Sequence, residues 1–164
     1  MTEESDSPMT DTDSTTTGPL VPEDITAGSP FTLPGFFAAL AEGRLVAARC
    51  TECDTHLLPP RPACYGCGSR AVTLSEQPRT GEVISYTSVN RPPSAFDHLA
   101  PITVAVVELD SSARLTGRVT ASLEDVTIGD RVELQVRDPE TVDIDPDFGL
   151  SYEEEWPIHV FELI

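Results

Sequence analysis

All four cysteines of the chain fall within residues 50–67, CTECDTHLLPPRPACYGC. They form two C-x-x-C pairs, Cys50/Cys53 and Cys64/Cys67, with ten residues between the pairs. A C-x-x-C turn directs two sulfurs at one point while backbone amides face them, and two such turns supply the four thiolates that a tetrahedral zinc ion takes at about 2.3 Å. Gly66 and Gly68 allow a tight turn at the second pair. Pro59, Pro60 and Pro62 stiffen the span between the pairs. Arg49 and Arg61 flank the pairs and are placed to offset thiolate charge. The expectation is a closed four-cysteine site, a zinc ribbon, with Cys50, Cys53, Cys64 and Cys67 as the metal ligands. Two disulfides, or iron in a rubredoxin-like site, are the competing readings. A thioredoxin-type redox pair fits less well, since one C-x-x-C would suffice and no βαβ pattern surrounds it. A closed site keeps no position open for water, so its work is structural. Binding of about 10–16 kcal/mol would fold a knuckle too small to fold alone. His56 is surplus to four thiolates, and His98 and His159 stand isolated in the sequence.

These ligands need elements to hold them, and composition bounds what those can be. The chain has 164 residues, 39% of them hydrophobic, with no apolar run of membrane-spanning length. Its N-terminus lacks the basic and apolar regions of a secretory signal, which predicts a cytoplasmic protein with reduced thiols. The net charge is −18, and every one of the 10 basic residues is arginine. Residues 1–43 carry eight acids and no base, and 138–164 carry nine and none, around a nearly neutral body. Such a charge favours solubility, and acid excess without lysine suggests a salt-rich cytoplasm.

Four segments follow. Residues 1–29, rich in Ser, Thr, Asp, Glu and Pro, are expected to be a disordered acidic tail. Residues 30–45 hold a short helix over 32–43, with Thr32 as cap, Pro34 in the first turn and Gly43 as stop. Phe36, Phe37 and Leu40 make its apolar face, which either packs on its own domain or docks on a partner. Residues 46–76 are the ribbon. Residues 77–164 shift to a period of two, with strands expected at 81–90, 102–109, 113–120, 131–137 and 157–164. Five strands with Gly117 inside the third fit an OB-fold barrel, the glycine marking a bulge or tight bend. Residues 138–156 show no clear period and read as a long acidic loop, in which Glu153, Glu154 and Glu155 are a solvated run rather than catalytic carboxylates. The fold class is mainly β: a five-stranded OB barrel preceded by a short helix and a rubredoxin-like zinc ribbon.

In this order, EGRL at 42–45, the C-x-x-C pairs with PPRPAC and YGC, TGEVISYTSVNRPPSAFDHLAPITVAVVEL and IGDRVEL resemble the zinc-ribbon plus OB-fold family long called domain of unknown function thirty-five. The resemblance covers about 32–137, fades over the acidic segment and is absent from the tail. It implies a non-catalytic accessory subunit that sits with thiolase-like condensing enzymes: acetoacetyl-CoA thiolases, HMG-CoA synthases, or lipid-transfer-type and aldolase enzymes. It further implies that the ribbon loop with Phe36 and Phe37 faces the partner, and that Arg91-Pro92-Pro93 with Phe96 lies near an acyl-CoA ligand. Arg79, Arg91, Arg114, Arg118, Arg131 and Arg137 could grip CoA phosphates as guanidinium forks, or could merely pair with Glu82, Glu108, Glu124 and Glu133. The alternative function is single-stranded nucleic-acid binding, which both modules support elsewhere. A body without lysine, offering Tyr86 and Phe161 but no stacking platform, argues against it. G-x-S-x-G and glycine-rich phosphate-loop motifs are missing, so no enzyme is expected.

Overall fold

The computed structural model describes residues 25, 26, 28–138, 141–145, 150–153 and 156–164; most of the expected tail, 1–29, lies outside them. The helix α1 (Leu33–Ala41) opens at Thr32, whose hydroxyl oxygen accepts from the Gly35 amide at 3.4 Å. With 3.6 residues per turn, Phe36 and Leu40 share one face, and both are buried in the main core. Phe36 is therefore unavailable to a partner, contrary to the interface role expected for it: its ring fills the domain's own interior. Phe37 turns to the side, edge-on to Phe36, and is only half-buried.

After the helix come β1 (Val46–Cys50), β2 (His56–Leu57) and β3 (Val72–Glu76), a three-stranded antiparallel sheet in the order β2-β1-β3. Its register sets Ala48 opposite Leu57 and Leu74, and Cys50 opposite Val72. Ala48, Cys50, Leu57, Cys64 and Val72 form a small second core beneath it.

The barrel is built from β4 (Thr80–Val89), β5 (Ile102–Leu109), β6 (Arg114–Val119), β7 (Arg131–Arg137) and, after a connection, β10 (Ile158–Leu163). It closes in the order β10-β6-β5-β4-β7, all pairs antiparallel except β10 with β6. Strict alternation along β5 buries Thr103, Ala105, Val107 and Leu109. Ala105, Val107 and Leu109 join Val83, Leu115, Val119, Val132, Leu134 and Phe161 in one core that α1 completes from outside.

Gly117 proves not to be a bulge. It pairs in register with Ala105, and the irregularity in the sheet lies between Val83 and Ser85. A Cβ at Gly117 would stand 2.8 Å from the Phe161 ring, so the glycine is there to let that ring fill the barrel. The acidic segment is likewise no plain loop. β8 (Thr141–Asp145) and β9 (Leu150–Glu153) form an antiparallel hairpin with Val142 opposite Tyr152. Val142 and Ile144 alternate with Asp143 and Asp145 in the sequence, a strand signal hidden by the acid content. The hairpin lies against the short 3-10 turn Ser94–Leu99 that follows β4. No helix among the described residues is long and apolar enough to cross a membrane.

Candidate metal centre and barrel surface

The two C-x-x-C turns are built alike. Cys50 ends β1, and the Asp54 amide donates back to the Cys50 carbonyl at 3.0 Å. In the second turn the Gly68 amide donates to the Cys64 carbonyl at 2.9 Å. The residue after each second cysteine is left-handed, Asp54 at φ 58° and Gly68 at φ 76°. Glycine takes that conformation freely, and aspartate tolerates it. Asp54 is further held by Arg49, whose Nη2 donates to Oδ1 at 2.6 Å. Arg49 thus braces the turn through Asp54.

These turns bring the sulfurs of Cys50, Cys53, Cys64 and Cys67 within 4.8 Å of one another. The Cys50–Cys67 and Cys53–Cys64 sulfurs are each 3.6 Å apart. A tetrahedron with bonds of about 2.3 Å has edges of about 3.8 Å, so the cluster fits one zinc ion. Disulfides need sulfurs at about 2.05 Å, and all four cysteines are free. Cys50 and Cys64 are buried against the sheet, whereas Cys53 and Cys67 face outward.

The cluster's protonation also calls for a cation. The Thr55 hydroxyl and backbone lower Cys53 to about 6. The Cys67 amide lowers Cys64, with help from that of Gly66, which lies 3.3 Å from the Cys64 sulfur. The Ser69 backbone pulls Cys67 down, but the Cys53, Cys50 and Cys64 sulfurs together push it up to about 12. Thiolates this close repel, and a dication removes the conflict. His56 is not part of the sulfur cluster, and its Nδ1 is buried without a partner.

Elsewhere the structure assigns the expected polar residues plainer tasks. His159 Nε2 donates to the Thr116 carbonyl at 2.9 Å, tying β10 to β6. Arg131 holds Asp110 in a bidentate pair at 2.7 and 2.9 Å, and Thr80 donates to the same carboxylate. Arg114 pairs with Glu108, and Arg137 with Glu162. Arg79 donates to the Gly43 carbonyl, joining barrel to helix. Arg91 is exposed just beyond β4, and Phe96 is half-buried in the 3-10 turn. The cavity beside that turn is lined by Leu99 rather than by Arg91 or Phe96. Sequence reasoning missed Trp156, which stacks on Phe37 with centroids 4.7 Å apart and planes 12° apart. A lone tryptophan before a proline at the end of an acidic run was the available signal.

Comparison with known proteins bears on the whole arrangement. Residues 37–73 match the family model for the ChsH2 rubredoxin-like zinc ribbon domain, and 75–137 match that for the ChsH2 C-terminal OB-fold domain. A DUF35 domain-containing scaffold protein of Methanocaldococcus jannaschii is 36% identical over 98 residues, 57% of this chain and 67% of that protein. The chain belongs to the DUF35 family. A second DUF35 scaffold protein, from Pyrococcus furiosus, is 34% identical over 96 residues, 57% of this chain and 69% of its own length. A probable enoyl-CoA hydratase alpha subunit of Thermomonospora curvata is 40% identical over 96 residues, which are 57% of this chain but 30% of that longer subunit. Among solved structures, the Ltp2-ChsH2(DUF35) aldolase superposes with a TM-score of 0.56 at 33% identity, covering 79% of this chain and 91% of that one. Both DUF35 modules are thus present here, ribbon before barrel.

Proposed function

We propose that this DUF35 chain is a non-catalytic accessory or scaffold subunit that binds a thiolase-like enzyme and assists its handling of acyl-CoA. The observation that carries the reading is the 33% identical likeness, over 79% of the chain, to a protein described together with an aldolase. Relatives described as scaffold proteins, and a relative described as a hydratase subunit acting on enoyl-CoA, support the same context. The four cysteines hold a structural zinc ion, for which their spacing is suited. Thr55 and the Gly66 amide orient the Cys53 and Cys64 sulfurs, and a zinc ion held there would neutralise the thiolates and fix both turns. The ribbon and the exposed flank of α1, with Phe37, face the partner, and Arg91 and Phe96 lie on the CoA side. The subunit works in the cytoplasm.

The test is affinity purification of the tagged full chain from its own cells, in their native salt, followed by mass spectrometry. A thiolase-like, HMG-CoA-synthase-like or lipid-transfer-type enzyme recovered in near-equal amount supports the proposal. Recovery of nucleic acid with its binding proteins, released by added salt, overturns it in favour of the OB-fold nucleic-acid reading.

A further inference from the structure

The sulfur cluster is covered unevenly. Cys53 and Cys67 face outward, while Cys50 and Cys64 are buried. Beside the Cys53–Cys64 edge stands Gly66, exposed and with no side chain to screen the sulfurs. A Cβ built on Gly66 would lie 3.9 Å from the Cys53 sulfur and 3.6 Å from that of Cys64, in contact with both. The Thr55 hydroxyl, 3.1 Å from the Cys53 sulfur, also lines a cavity of about 410 Å³ with His56, Tyr65 and the barrel residues Glu108 and Ser112. Space for a small polar molecule therefore reaches the immediate neighbour of that sulfur. A second sulfur is at hand. That of Cys64 lies 3.6 Å away, held by the Gly66 amide at 3.3 Å.

We infer that Cys53 is a site of oxidation by hydroperoxides, with Cys64 as its resolving cysteine, so that the ribbon loses its hold on the metal when a peroxide reaches this edge. The loss of metal rests on the zinc-holding role proposed above; the disulfide rests on the geometry. A thiolate is both metal ligand and nucleophile. The Cys53 sulfur attacks one peroxide oxygen and the O–O bond breaks, leaving a sulfenic acid; the departing hydroxide takes a proton and becomes water. The Cys64 sulfur then attacks the Cys53 sulfur and displaces its hydroxyl, which leaves with a solvent proton as a second water. Two thiolates have lost two electrons and the peroxide has gained them. The two sulfurs need only close from 3.6 Å to about 2.05 Å. Cys50 and Cys67 then remain as two ligands, too few for a closed tetrahedral site. Cys64 belongs to the small core with Leu57 and Val72, so the change reaches the ribbon sheet. Exchange with a small thiol reduces the bridge and restores the ligands. The Cys50–Cys67 sulfurs are equally close, so the order in which bridges form separates the two edges.

The experiment treats the purified full chain with equimolar hydrogen peroxide. Released zinc is followed with a colorimetric chelator, the remaining thiols are alkylated, and the bridges are mapped by peptide mass spectrometry. The first bridge is expected at Cys53–Cys64, formed in step with zinc release, and dithiothreitol with added zinc should reverse both. Gly66, unlike Gly68, is not left-handed, so its backbone accepts alanine. The new methyl covers the edge, with only the Thr55 hydroxyl to yield, at 3.2 Å. Gly66→Ala should therefore purify with its zinc and lose it to peroxide several-fold more slowly than the wild type. A first bridge at Cys50–Cys67 or within one C-x-x-C turn, or sulfinic acid at Cys53 with no bridge, would overturn the inference. So would release from Gly66→Ala at the wild-type rate. If that variant fails to hold zinc, the bridge map of the wild type decides by itself. Metal analysis before treatment judges the zinc reading separately: a chain that purifies without zinc and takes up none counts against that reading, and the bridge map still tests the oxidation site.

Discussion

Cys50 and Cys67 do different amounts of structural work although both are zinc-ribbon cysteines. Cys50 is buried in the small core with Leu57 and Val72, while Cys67 is exposed on the outer side of the cluster. Replacing either by Ala should lower bound zinc, measured by metal analysis of the purified chain, from one ion per chain to below half. Cys50→Ala should also melt the ribbon sheet, because it removes a packed group as well as a ligand. Chelation should have the same effect on the ribbon while leaving barrel secondary structure in place. Asp110 is a second case where geometry sets chemistry. The bonds from Arg131 and Thr80 hold its pKa at about 2, below the usual 3.8. A carboxylate depressed in the folded state adds stability that is fully present above its unfolded pKa and is lost as pH falls through the folded one. Acid titration of stability should therefore show a loss between about pH 4 and pH 2 that Asp110→Asn lacks. Since the pair is solvent-exposed, the difference should be small and should shrink further in salt.

Among the elements, α1 shows how little separates a core residue from a surface one. Phe36 and Phe37 are neighbours in the chain, yet the 100° step between them sends one inward and the other to Trp156. Phe36→Ala should destabilise the chain by about 3–5 kcal/mol, since it empties a buried ring site. Phe37→Ala should cost less and should instead change Trp156 fluorescence, both effects being readable in one urea titration. Equal costs would mean that Phe37 is as deeply packed as Phe36. The strands themselves were legible: the expected 102–109 and 131–137 match β5 and β7 to the residue, because alternation and flanking turns mark them. The hairpin β8–β9 was not, since acids mask the alternation of Val142 and Ile144. Gly117 was noticed for a bend when its reason is the Phe161 ring, a contact 44 residues away in the chain.

For the molecule as a whole, charge dominates behaviour in solution. With 28 acids against 10 bases, self-repulsion opposes compaction at low ionic strength. Thermal stability should rise steadily as salt is raised toward molar concentration; a maximum in dilute buffer would refute the salt-adapted reading.

Sequence alone determined the order of helix, ribbon and barrel, and which four cysteines come together. These are local properties: C-x-x-C spacing places two ligands in one turn, and periods of 3.6 and 2 declare helix and strand. Tertiary structure decided which groups meet across the chain. It paired Phe37 with Trp156 and buried Phe36 under the barrel. It committed Arg49 to Asp54 and Arg131 to Asp110, and gave Arg118 a place in two cavities. No sequence period encodes those meetings, because each depends on strand register and barrel closure, which bring distant residues together only once the core has packed.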